Sequence, residues 1–230
     1  MTRGEPGAGS IESLYPFLSP ATNGVGADQL PAVLEHVRRS TVAKAEEITE
    51  LRRLVSVRDG ARLVRCARDA AARFAAGGRL LAFGNGGSAT DAQQLAALYL
   101  NPGGTARPLP ALGLAGDTSV VTALCNDISV DVVFARQIAA FGRRDDVAIG
   151  LSTSGNSENL LRAFDEASKR GLLTVGLAGY AGGRMAELGS VDYLFVVPSS
   201  SVHRIQEAQT TVYHVLWELT LAALDEAEQG

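Results

Sequence analysis

Two short stretches concentrate the groups that can hold an anion. The first, Gly84-Asn85-Gly86-Gly87-Ser88, follows an apolar run and leads into Ala89-Thr90-Asp91. This reads as a glycine turn entering a helix, with Ser88 as the cap and Asp91 three residues on. Glycines there let a ligand approach the backbone closely. The dinucleotide fingerprint GxGxxG would need glycine at Ala89 and an acidic residue about 20 positions later, and the mononucleotide loop would need a following GK[ST]; neither pattern is met. The second stretch, Ser152-Thr153-Ser154-Gly155-Asn156-Ser157, precedes an amphipathic pattern carrying Leu160, Leu161, Phe164 and Ala167. Hydroxyls crowding a helix start add neutral donors to free N–H groups and the positive end of the dipole. A phosphate monoester fits that chemistry.

Both loops need a scaffold that ends its strands together. Five short apolar runs supply one: Arg79–Phe83, Leu109–Ala115, Val147–Leu151, Leu172–Leu177 and Tyr193–Val197, separated by helical patterns. Such alternation predicts an α/β fold with a parallel sheet. Gly77-Gly78 and Gly171 stand where helix C-terminal caps are expected, and Lys169-Arg170 suit the negative helix end. Between Leu30 and Ala75 the pattern predicts at least two helices, interrupted near Asp59 and Gly60, with a solvated face of mixed charge. Ile205, Ala208, Val212, Val215, Leu219 and Ala222 alternate spacings of three and four, the stripe of a final helix serving either the core or a subunit seam. Residues 1–28 mix Gly, Pro, Ser and Asn and are expected to be loosely ordered, leaving one domain over residues 29–230 with an N-terminal helical extension.

Composition narrows the partners. The chain has 230 residues, 46% hydrophobic and 20% charged, enough apolar material for a real core. Its net charge of −4 disfavours direct nucleic-acid binding. Cys66 and Cys125 form no metal or disulfide motif and suit a reducing, cytoplasmic setting. With no secretory apolar core in Met1–Ser10 and no run of about 18 apolar residues, no membrane span is expected.

The stretches GNGGSATDAQQ, Asn126-Asp127, STSGNS and Arg204-Ile205-Gln206-Glu207 resemble the sugar isomerase (SIS) domain, specifically the phosphoheptose isomerase family, over about Leu30 to Leu224. The resemblance implies a doubly wound five-stranded parallel sheet flanked by helices, with N-terminal helices and a long C-terminal helix. It further implies a homotetramer with a sugar-phosphate site at subunit contacts. Members interconvert sedoheptulose 7-phosphate and a heptose phosphate by moving a proton between adjacent carbons. Carried over by position, Asn85, Gly86, Gly87, Asn126, Asp127, Ser152, Thr153, Ser154 and Ser157 contact substrate, Ser88 completes the first loop, and Gln206 and His214 line the site. The family's helix after GNGGS presents a His and, four residues later, a Glu that ligate zinc and move the proton. Here those places hold Gln94 and Leu98. A leucine neither ligates nor accepts a proton, and an amide has no basicity, so no zinc or other cofactor is expected.

Three histidines remain to be weighed. His36 is expected at the surface of an N-terminal helix, which leaves His214 and His203 as candidate proton-transfer groups. Asp127, Glu158 and Glu207 lie near the motifs, each expected to cap a helix or pair with Arg204. Two functions stay open: a sugar-phosphate aldose-ketose isomerase, and a non-catalytic phosphosugar-binding module like the family's replication-initiator-associating relatives. A sugar-sensing transcriptional regulator would need a basic helix-turn-helix segment before Arg79, and none is evident.

Overall fold

The computed structural model describes residues 30–229, so the segment 1–28 lies outside the described residues. The described chain divides into two units, one ending at Glu46 and one running from Glu47. In the first, the opening turns of helix α1 (Leu30–Ala75) expose Val33, Leu34, Val37 and Val42, and Glu35 pairs with Arg38 and Arg39 one turn on. Local ion pairs rather than a core accompany this stretch of helix.

The expected break near Asp59 and Gly60 is not there: α1 is one continuous helix of 46 residues. Glycine inside a helix costs only about 1 kcal/mol relative to alanine, and burial of Val55 and Leu63 on either side outweighs it. Asp59 is buried but meets Arg58 at 2.5 Å and Arg62 at 3.6 Å, so its charge is compensated.

Five parallel strands follow: β1 (Leu80–Gly84), β2 (Ala111–Gly113), β3 (Val147–Leu151), β4 (Leu173–Gly179) and β5 (Tyr193–Val197), in the order β2-β1-β3-β4-β5. Between them lie α2 (Gly87–Leu100), α3 (Thr118–Asp127), α4 (Val133–Phe141) and α5 (Glu158–Lys169), and α6 (Val202–Gln229) closes the chain. Strands β1, β3 and β4 are buried throughout, which is why they read as unbroken apolar runs. The pleat splits β1 between two cores: Leu80 and Ala82 pack with residues of α1, α2 and α6, while Leu81 and Phe83 pack with α4 and α5. Strand β2 is shorter than expected. It is an edge strand, and Pro110 at its start has no N–H to donate, although its carbonyl accepts from Leu80 N at 2.9 Å.

On α6 the expected stripe is only partly buried. Ile205, Ala208 and Val212 are in the core, Val215 and Leu219 are half-buried, and Ala222 is exposed. A 3.5-residue spacing drifts around a 3.6-residue helix, so the core face passes instead to Tyr213, Leu216, Thr220 and Leu224. No helix among the described residues is long and apolar enough to cross a membrane.

Candidate functional site

In a sheet ordered β2-β1-β3-β4-β5 the direction of winding reverses between β1 and β3, and the chains leaving those strands diverge to opposite faces. The crevice this opens lies at the carboxyl ends of β1 and β3, where open α/β sheets bind ligands. The glycine loop leaves β1 and the serine loop leaves β3, so both anion-holding stretches sit at the switch point. They are joined there by side chains: Asn85 Nδ2 donates to Asn159 Oδ1 at 2.8 Å, and Asn159 Nδ2 donates back to Asn85 Oδ1 at 2.9 Å.

The glycine loop differs from expectation at its cap. Helix α2 begins at Gly87 with Gly86 (φ 54°) as N-cap, and no side chain bonds its first N–H groups. Ser88 therefore does not cap; it is buried inside the first turn. A Cβ on Gly87 would fall 2.6 Å from Gln206 Nε2, so glycine is what admits the Gln206 amide over the loop. That amide donates to Asp91 Oδ2 at 2.9 Å. Burial pushes the Asp91 carboxyl above its ordinary range, and the Gln206 hydrogen bond offsets part of that rise.

The serine loop divides its hydroxyls between structure and opportunity. Ser152 is buried and its Oγ accepts from Gly155 N at 3.0 Å; Ser154 Oγ accepts from Asn156 N at 3.2 Å. Thr153 and Ser157 are half-buried, and Ser157 is the N-cap of α5 with extended backbone yet makes no capping bond. Its hydroxyl is left beside the positive end of the helix. Gly155 has φ +68°, and a Cβ there would meet the Gly182 carbonyl at 2.0 Å, so the loop lies flat on the turn after β4. Met185 N donating to Gly155 O at 2.9 Å and Arg184 N to Asn156 Oδ1 at 2.9 Å brace it. Glu158 bonds Arg162 and Arg184, which hold its carboxyl below the usual carboxylate range.

Asn126 and Asp127, at the end of α3, are exposed and bonded to each other at 2.8 Å. No hydrogen bond among the described residues ties them to either loop, and α3 has no buried residue. Within one chain the structure ties Asn85 to Asn159, just past the serine loop, and brings Gln206 over Gly87 to Asp91, and leaves the Asn126-Asp127 pair apart.

Comparison with known proteins agrees with this geometry. Residues 45–179 match the model of the SIS domain. The phosphoheptose isomerase of Nitratidesulfovibrio vulgaris Hildenborough is 44% identical over 187 residues, covering 81% of this chain and 89% of that protein. The phosphoheptose isomerase of Desulfovibrio desulfuricans is 47% identical over 176 residues, covering 71% and 83%. The solved structure of phosphoheptose isomerase from Neisseria gonorrhoeae superposes with a TM-score of 0.73 at 33% identity, covering 79% of this chain and 97% of that one. The chain belongs to the phosphoheptose isomerase family of SIS-domain proteins.

The two positions at which the family resemblance implies a metal-binding His and Glu sit on α2. Gln94 is exposed, and Tyr213 OH on α6 donates to its Oε1 at 3.4 Å; Leu98 packs half-buried against the core. The resulting donor set does not fit zinc, because Leu98 has no donor atom and the Gln206 amide is turned to Asp91. Among the described residues no three His, Cys, Asp or Glu side chains converge as a metal-binding group. His203 and His214 are exposed on α6, separated by a helical rise of roughly 16 Å, so one chain does not bring them to a common carbon. His214 stacks beside Tyr213 with ring centroids 5.1 Å apart. Of the nearby carboxylates, Glu207 pairs with Arg204 at 2.6 Å, as expected, and Glu158 is held ionised by its arginines. His36 is exposed, also as expected.

Two site residues were not evident from sequence. In the sequence Asp91 reads as part of a capping pattern, and Asn159 carries no motif. Asn159 is one helical residue past Glu158 and is 5% exposed; an amide so near a helix start, inside an otherwise apolar face, is the only local signal.

Proposed function

We propose that this protein binds a sugar phosphate of the sedoheptulose 7-phosphate type, with the phosphate on the serine loop and the sugar on the glycine loop and Gln206. The observation that carries this is Ser157, an N-cap whose hydroxyl makes no cap, on a loop tied to the glycine turn at the switch point of the sheet. Relatives named phosphoheptose isomerase support the choice of sugar. Proton transfer between adjacent sugar carbons needs a positioned base worth about 10²–10⁴ in rate. With Gln94 and Leu98 at the family's places, isomerisation by this chain is slow, and the protein works without zinc. The site is completed in a homotetramer, which brings groups such as Asn126, Asp127 and His214 of neighbouring copies within reach of the loops. An apolar groove of about 330 Å³ between α1 and α6, lined by Val55, Leu63, Val212, Val215 and Leu219, supports assembly. We assign the protein to the cytoplasm, where its free cysteines stay reduced.

Thermal unfolding against a panel of heptose and hexose phosphates tests the reading. Ligand at 100 times Kd adds about 2.7 kcal/mol to native stability, a shift of several degrees. Stabilisation by a heptose phosphate, absent with the unphosphorylated sugar, is the expected result. Equal, negligible shifts across the panel would overturn it.

A further inference from the structure

We propose that Asn159 is a positioning residue, which fixes the Asn85 amide and thereby couples the sugar-side loop to the phosphate-side loop. The proposal rests on the sugar-phosphate reading above and assigns to it a residue that does not itself meet the sugar.

The argument starts from the inventory of an amide. Each Asn side chain carries two N–H donors and one carbonyl oxygen with two lone pairs. In the reciprocal pair each residue spends one donor and one lone pair on the other, at 2.8 and 2.9 Å. Asn85 is exposed and Asn159 is buried, so what remains of Asn85 faces outward: one N–H and one carbonyl lone pair, at a set angle. A flipped Asn85 would set nitrogen against nitrogen and oxygen against oxygen and leave the buried Asn159 amide without partners, which is the costly case. The pair therefore locks the two amides to each other, so that Asn85 turns over only if the buried Asn159 turns with it.

Its position gives this a consequence. Asn85 directly follows β1, and Asn159 lies two residues beyond Ser157 in the first turn of α5. No other side-chain hydrogen bond between residues 84–91 and 152–159 is present among the described residues. The tie runs from the glycine loop to the first turn of α5, and adds a side-chain link beyond the point where the β1–β3 pairing ends at Gly84 and Leu151, so the two sides of the crevice are held together before ligand arrives. Such preorganisation favours a ligand long enough to touch both loops, and does nothing for one that touches only the serine loop. Sugar phosphate is of the first kind and inorganic phosphate of the second.

The test compares those two probes on the full-length chain by calorimetric titration, using Asn159→Leu, which keeps the branching and the number of heavy atoms, and Asn159→Ala. Expected is a loss of at least about tenfold in affinity for sedoheptulose 7-phosphate, the size of one lost hydrogen bond to a polar group, with inorganic phosphate affinity within about twofold of the unaltered chain. In an Asn85→Ala background the further change at Asn159 should add less than about twofold, because Asn159 acts through Asn85. A merely structural role would weaken both probes in parallel, and that result overturns the proposal. So does an unchanged sugar-phosphate affinity, or a loss that multiplies with Asn85→Ala. Inorganic phosphate binding by the unaltered chain with no gain for the sugar phosphate would overturn the sugar reading and the coupling together.

Discussion

At the scale of single residues, the serine loop separates hydroxyls bonded within the loop, those of Ser152 and Ser154, from that of Ser157, which makes no capping bond. Ser157→Ala removes a hydroxyl that caps nothing, so stability should be unchanged while sugar-phosphate affinity falls about tenfold or more, a hydrogen bond to a charged group contributing about 1.5–3 kcal/mol. Ser152→Ala orphans the buried Gly155 N–H and should lower stability by about 1–3 kcal/mol, read by denaturant unfolding. Asp91 carries the pH prediction. Its carboxyl is raised by burial, so the folded chain holds that proton more tightly than the unfolded chain does. Ionising Asp91 therefore costs stability; the cost is absent below the unfolded value near 3.9 and is complete once pH exceeds the folded value. Asp91→Asn keeps an acceptor for Gln206 and should be at least as stable as the unaltered chain at neutral pH, losing less stability from about pH 4 upward. Unfolding midpoints across that range decide it; a less stable variant at neutral pH would mean a cationic partner outweighs burial. The hydroxyl cluster was legible because its members are neighbours in sequence. Asn85–Asn159 and Asp91–Gln206 were not, since their partners lie 74 and 115 residues apart and no local pattern encodes the contact.

Elements were legible in kind and less so at their ends. The strands declared themselves as apolar runs because parallel strands covered on both faces tolerate little else. In helix α1, Asp59 and Gly60 look like a break locally, whereas burial of Val55 and Leu63 fixes the helix through them. That supplies a prediction: a Cβ on Gly60 meets nothing within 4 Å, so Gly60→Ala should stabilise the chain by about 0.5–1 kcal/mol, seen as a rise in unfolding midpoint. Gly155→Ala should do the opposite. Its left-handed backbone and the 2.0 Å approach to Gly182 O leave no room, so the serine loop must lift and phosphate affinity fall with stability. The seam on α6 was half legible, because a stripe counted at 3.5 residues leaves the core face after two turns.

For the whole molecule, sheet order decides the site. The reversal between β1 and β3 places the two anion-holding loops across one crevice, and their motifs already implied that family and fold. Assembly is not written in one chain's contacts; the proposed tetramer predicts a light-scattering mass of four chains at micromolar concentration, and a monomer would contradict it. Chemistry follows from the same crevice. Gln94→His with Leu98→Glu places an imidazole and a carboxylate one turn apart on α2, and isomerisation in the presence of zinc should rise above that of the unaltered chain and of either single change. Phosphorus NMR of sedoheptulose 7-phosphate added to the unaltered chain tests the central claim most directly, because one spectrum reads both binding and turnover. The account predicts a saturable shift or broadening of the phosphate resonance, moved to about tenfold or more higher concentration by Ser157→Ala, with no product signal over times in which an ordinary enzyme at about 1–10 s⁻¹ would have converted the sample. An unperturbed resonance at saturating protein, or conversion at about 1 s⁻¹ or faster, would contradict it.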